Sequence, residues 1–130
     1  MKADLKFFRI AVSWAGVLLW CVTLWILSSL PGGTLPDVDV PNADKIVHFG
    51  YFMVGAALLA NAFHQSTALS GRKLFFAVVI TVMLVGAVDE IHQLFTPKRS
   101  GSDVGDWVAD TLGGITGALI VGWFYGRRRK

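Results

Sequence analysis

Eleven side chains able to do acid–base, metal or anion chemistry fall at the ends of apolar runs in this chain. Asp44, Lys45 and His48 open one run, and Asp89, Glu90, His92 and Gln93 close another. Arg99 and Asp103 follow in the next connection, and Asp106 and Asp110 open the last run. Carboxylates can hold a divalent cation through oxygen. Histidine can act as a general base or a metal ligand, and arginine can grip a phosphate or carboxylate with its planar fork. A carboxylate facing lipid costs ~2.5–3.5 kcal/mol at a helix centre on insertion scales. These groups must therefore gather somewhere away from lipid.

Helical spacing indicates which of them share a face. Asp44, His48, Tyr51 and Gly55 recur at steps of four, three and four, which is one helical stripe. Asp89, His92 and Gln93 share a face, with Glu90 beside it. Asp103, Asp106 and Asp110 repeat at three and four. Gly113 and Gly117 continue the last helix in a small-xxx-small pattern that lets backbones approach.

The elements that position these groups follow from composition. The chain has 130 residues, 54% of them hydrophobic, with five tryptophans. Its mean hydropathy is +0.56. That is too apolar for an ordinary soluble domain of this length, and the tryptophans suit anchoring at the headgroup level. Four apolar runs predict helices over about residues 7–30, 44–64, 73–95 and 103–125. A spanning helix needs about 20 residues, and the third and fourth runs reach that length only by including their polar ends. The expected fold is all-α: one domain, residues 1–130, forming an integral-membrane four-helix bundle. A soluble bundle would show polar faces along every helix, and these helices do not. The first run is too long for a signal core and lacks a clear cleavage site, so it is read as a retained helix. Cys21 allows no internal disulfide and is read as a buried small hydrophobe.

Charge sets the expected orientation. With four spans, both termini and the 65–73 loop share one side. Nine of the twelve Lys and Arg residues fall there, including the run Arg127 to Lys130. Cytoplasmic loops collect Lys and Arg, so both termini are expected inside. All the acids except Asp4 then lie at the outer end, including Asp37 and Asp39 in the first loop. At 1.5 Å per residue, His48, Asp89 and Asp110 lie roughly 6–10 Å below the outer rim. Three helices are thus expected to aim acids, two histidines and an amide into one shallow outer cavity.

A plainer reading makes these residues a polar plug. Asp44 and Asp103 suit N-caps, and Lys45 and Arg99 suit counter-ions. Capping explains first-turn acids but not Asp89, Glu90 and Asp110 together, because unpaired buried carboxylates need a cation or a shared proton. His64 reads as a solvated helix-end residue. Ser28 and Ser29 have no base placed beside them, so no serine nucleophile is expected.

Through "DKIVHFGYF", "DEIHQLFTPKRSGS" and "DWVADTLGGITGAL", in that order, the chain resembles the VanZ-like family of bacterial membrane proteins. The likeness covers roughly residues 44–119. It implies a multi-pass protein of the bacterial cytoplasmic membrane, and the founding member is associated with resistance to the glycopeptide teicoplanin. The family pattern falls on Asp44, Lys45, His48, Asp89, Glu90, Gln93, Arg99 and Asp106, with Gly113 and Gly117. Family members often carry Asn at the position of Asp110, so the site here is the more acidic.

Two function classes follow. The first is an intramembrane hydrolase or transferase acting from the outer leaflet on an envelope lipid or cell-wall precursor. Its candidate catalytic residues are Asp44, His48, Asp89, Glu90, Gln93 and Asp106. Lys45, His92, Arg99 and Asp103 are the substrate-binding candidates. Asp89, Glu90, Asp106 and Asp110 are the candidate ligands of a divalent cation. No HExxH, CxxC or DDxxD motif supports that cation. The second class is a non-catalytic protein that captures or shields an envelope lipid. A proton or ion relay is a third option, opposed by polarity at one end only. The expected partners are the bilayer and a lipid-linked or precursor ligand; no nucleic-acid partner is expected.

Overall fold

The computed structural model describes residues 1–34, 40–99, 101 and 103–127. Asp37 and Asp39 of the first loop and Arg128, Arg129 and Lys130 of the basic tail lie outside the described residues. Four helices follow in order: α1 (Lys2–Ser28), α2 (Ala43–Ser66), α3 (Gly71–Gln93) and α4 (Val104–Arg127). Each is long and apolar enough to cross a membrane. There is no strand among the described residues, and the fold is the expected all-α membrane bundle.

The helix ends differ from expectation for local reasons. α1 starts at Lys2 rather than near residue 7, because Lys2, Lys6 and Arg9 favour helix and Asp4 pairs with the terminal amine at 2.6 Å. It stops at Ser28, shortly before Pro31. α3 stops at Gln93. Leu94, Phe95 and Thr96 then turn back with tighter three-residue hydrogen bonds to Ile91, His92 and Gln93. Asp103 precedes α4 and caps it, since the Gly105 N–H donates to Asp103 Oδ1 at 2.7 Å. Asp44 lies within the first turn of α2 and makes no cap bond.

The most extensive contact in the bundle joins α2 and α4, which run parallel. A Cβ at Gly113 would lie 2.2 Å from the Phe49 carbonyl oxygen, and one at Gly117 would lie 2.2 Å from that of Met53. Only glycine tolerates this approach. The offset of 64 residues recurs near the other end, where the Tyr125 hydroxyl donates to Asn61 Oδ1 at 2.6 Å. α3 packs on the same pair through Val82, against which Gly114 leaves room. Phe52, Ala56, Val78 and Val82 form the centre of the core.

α1 is the peripheral helix. It docks by laying Trp20 across Gly55, and the Tyr51 hydroxyl donates to the Trp20 carbonyl at 2.8 Å. The lower half of the expected His48–Gly55 stripe thus serves α1 packing. Trp107 is also an internal anchor, donating from Nε1 to the Met83 carbonyl at 3.0 Å. Trp20 and Trp107 thus hold helices together from the interior, whereas Trp14, Trp25 and Trp123 are exposed. Cys21 is partly buried against the core.

Candidate functional site

The C-terminal ends of α1 and α3 meet the N-terminal ends of α2 and α4 at the end of the bundle opposite the chain termini. The polar side chains there form two networks on different sides of α3. A step of four residues keeps Asp89 and Gln93 on one face, and a step of one turns Glu90 about 100° away.

The first network faces α1. Asp89 is 5% exposed, and both its oxygens are engaged. The Ser28 hydroxyl donates to Oδ1, and Gln93 Nε2 donates to Oδ2 at 2.9 Å. The Thr96 hydroxyl donates to the Ser28 carbonyl at 3.0 Å. Arg99 ties the connection to the end of α1. Its Nε donates to the Leu30 carbonyl at 3.1 Å, its Nη2 to that of Leu27 at 2.9 Å, and its Nη1 to Gln93 Oε1 at 3.3 Å. The guanidinium thus serves carbonyls at the helix end, where the chain supplies few backbone donors. His92 is half-buried and lies apart from both networks, stacked on Trp25 with ring centroids 3.9 Å apart.

The second network joins α2, α3 and α4. Lys45 Nζ reaches Asp44 Oδ2 and Asp103 Oδ2 at 3.1 Å and Asp106 Oδ1 at 3.0 Å. The Asp103 backbone N–H donates to Glu90 Oε2 at 2.8 Å, which fixes the α3–α4 connection to α3. The Lys45 ammonium and the Gly105 N–H hold the Asp103 carboxyl below the usual carboxylate range.

Deeper in the same network, His48 Nδ1 and Asp110 Oδ1 are 2.9 Å apart, with the imidazole N–H donating to the carboxylate. Asp110 is completely buried. It fits because a Cβ at Gly86 would lie 2.9 Å from Asp110 Oδ2. The other ring nitrogen, Nε2, stands 3.9 Å from Asp106 Oδ2. Two triads bring ligand atoms within 4.8 Å of one another: His48, Glu90 and Asp106, and Asp44, Asp103 and Asp106. The second triad already surrounds the Lys45 ammonium. Asp89, by contrast, is taken up by Ser28 and Gln93.

The structure thus brings Asp44, Lys45, His48, Glu90, Asp103, Asp106 and Asp110 together, places Asp89, Gln93 and Arg99 in the neighbouring network, and leaves His92 on Trp25. Ser28, Trp25 and Thr96 are site neighbours that sequence reasoning missed. The signal that could have found Ser28 was a small hydroxyl at the one end of α1 where polar helix ends gather. Cavities of about 150 and 390 Å³ lie at the opposite end, beside His64 and Tyr125 and beside Lys2, Lys6 and Arg9. His64 itself stacks on Tyr125.

Fold and site together define a multi-pass helical membrane protein with a carboxylate-rich cluster held between helix ends. The family model VanZ/LLP1 matches residues 5–125, and the chain belongs to that family. No curated protein and no solved structure matches it.

Proposed function

We propose that this protein acts at the outer face of the bacterial cytoplasmic membrane on an envelope lipid or cell-wall precursor, with the α2–α3–α4 polar network as its site. The observation that carries this reading is the segregation of charge along the bundle. Lys2, Lys6, Arg9, Arg72, Lys73 and Arg127 lie at the end with the termini, and the acidic cluster lies at the other. The preference of Lys and Arg for the cytoplasmic side puts the cluster outside. Lys45, about a third exposed, is the group best placed to meet an anionic headgroup. Catalytic roles fall to His48, Glu90 and Asp106, with Asp44 at the rim. Asp89 and Gln93 support them, and His92 is a contact at the margin. The VanZ resemblance extends the reading to a link with glycopeptide (teicoplanin) resistance.

A second reading, a non-catalytic protein that binds or shields the lipid, is favoured by the number of polar atoms already paired with one another. The test is to reconstitute the protein with a bacterial lipid extract, re-isolate it and identify retained lipids by mass spectrometry. One lipid class should be enriched over bulk and lost in Lys45→Met. Retention that mirrors the bulk lipid would refute both readings. Turnover of the retained class separates the enzyme from the binder.

A further inference from the structure

Charge in the α2–α3–α4 network does not balance. Asp44, Glu90, Asp103, Asp106 and Asp110 face one lysine, Lys45. That lysine pairs with Asp44, Asp103 and Asp106. Glu90 and Asp110, the two most buried acids of the network at 5% and 0% exposure, have no lysine or arginine partner among the described residues. Each also has a buried oxygen without a hydrogen bond to any described residue, Glu90 Oε1 and Asp110 Oδ2. A buried carboxylate in that condition is costly unless a cation or proton joins it.

The free atoms have a pattern. In each of three residues, one polar atom is spent on positioning and another is left over. His48 commits Nδ1 to Asp110 and keeps Nε2. Glu90 commits Oε2 to the Asp103 N–H and keeps Oε1. Asp106 commits Oδ1 to Lys45 and keeps Oδ2. Each of the three residues offers a ligand atom within 4.8 Å of the others. The 3.9 Å between His48 Nε2 and Asp106 Oδ2 is too long for a hydrogen bond. It suits two ligands of one ion, since bonds of about 2.0–2.2 Å put such ligands roughly 3–4 Å apart.

We propose that His48, Glu90 and Asp106 form a divalent-cation site, with one ligand from each of α2, α3 and α4. Asp110 is its supporting carboxylate. It receives the Nδ1–H of His48, which fixes the tautomer that offers Nε2 to a metal, the carboxylate–histidine–metal arrangement of known sites. An imidazole with two carboxylates suits Zn²⁺ or Mn²⁺ better than Ca²⁺ or Mg²⁺, which favour all-oxygen sites. A divalent ion there would halve the excess of negative charge that five carboxylates leave against one lysine, which suits the partly buried position. Three protein ligands also leave a coordination position for water or a substrate oxygen. The site lacks Asp89, which the sequence had placed among the ligands.

Metal binding needs no lipid ligand, so this proposal and the envelope-lipid reading stand or fall separately. The experiment uses the full chain in detergent, stripped with a chelator and titrated with Mn²⁺ under electron paramagnetic resonance. One Mn²⁺ per chain should bind, with nitrogen modulation from a single imidazole, and Zn²⁺ should displace it. Glu90→Gln, which keeps the side-chain shape, should weaken binding at least about tenfold, and Asp110→Asn about 10–100-fold. His48→Ala should abolish the nitrogen signal. Gly122→Val, at the opposite end of the bundle where an added Cβ meets nothing within 4 Å, should leave the affinity unchanged. The proposal is overturned if the wild type binds neither Mn²⁺ nor Zn²⁺ stoichiometrically, or if bound Mn²⁺ shows only oxygen ligands. A nitrogen signal that survives in His48→Ala overturns it too. Should His48→Ala fail to fold, the affinity of Glu90→Gln decides.

Discussion

Arg99 Nη2 donates to the carbonyl oxygen of Leu27 at 2.9 Å, across 72 residues of chain. With Nε on Leu30, the α3–α4 connection thereby closes the open end of α1. Lysine keeps the charge but cannot serve three acceptors from one plane. Arg99→Lys should therefore destabilise the protein by about 1.5–3 kcal/mol, read as a lower melting temperature in detergent. A melting curve equal to wild type, combined with lost lipid retention, would instead assign Arg99 to ligand binding.

The α2–α4 contact predicts a sharp size limit. At Gly113 and Gly117 even a methyl group meets backbone carbonyl oxygens, which cannot swing aside. Gly113→Val and Gly117→Val should each cost about 1–3 kcal/mol or more and lower the yield of folded protein. Gly122→Val, at a position where an added Cβ meets nothing within 4 Å, is the control and should be near neutral.

Ser28 and Asp89 provide a test of the first network. Ser28→Ala removes a donor from a buried carboxylate and should cost about 1–3 kcal/mol. Asp89→Asn in the same chain should recover part of that loss, because a neutral amide is cheaper to leave short of one bond. A double-mutant cycle by thermal unfolding measures the coupling.

Acid should release the Lys45–Asp103 pair. Asp103 titrates below its ordinary range in the folded chain, so its contribution is complete above the unfolded value of about 3.9 and fades as pH falls through the lower folded value. Asp103→Asn should thus melt below wild type at neutral pH, and the gap should close in acid. A gap of constant size from pH 7 to pH 3 would show that the charge of Asp103 plays no part.

Orientation is open to direct labelling. Thr34, exposed in the α1–α2 connection, should face outward. In a Cys21→Ser background, Thr34→Cys should react with an impermeant maleimide on intact cells, and a cysteine appended after Lys130 should not. The reverse pattern would sink the outer-face reading.

The fold was legible because uninterrupted apolar runs and their Lys/Arg flanks leave few alternatives to four membrane helices. That Asp44, His48, Asp89, Asp106 and Asp110 share one end follows from helix direction alone. Their division into two networks does not. A rotation of about 100° per residue separates Glu90 from Asp89, but which helix stands on each side depends on packing, set here by glycines pressed against carbonyls. The partners of Arg99 were hidden for another reason: two of them are backbone carbonyls, which no residue type marks. Trp20 and Trp107 were hidden likewise, since the same residue serves a lipid headgroup region or a tight helix crossing.

At the polar end, the residues turned outward remain apolar: Ile46, Val47, Val88, Ile91, Leu94, Val104 and Val108 are all exposed. They form a sleeve of hydrocarbon around the charges. A charged ligand cannot enter sideways through it and must come along the bundle axis, past Lys45 and Asp103 at the rim. The sleeve is also insulation. Dissolved salt reaches the rim but not the floor, so Lys45 interactions should weaken with ionic strength while the His48–Asp110 contact does not.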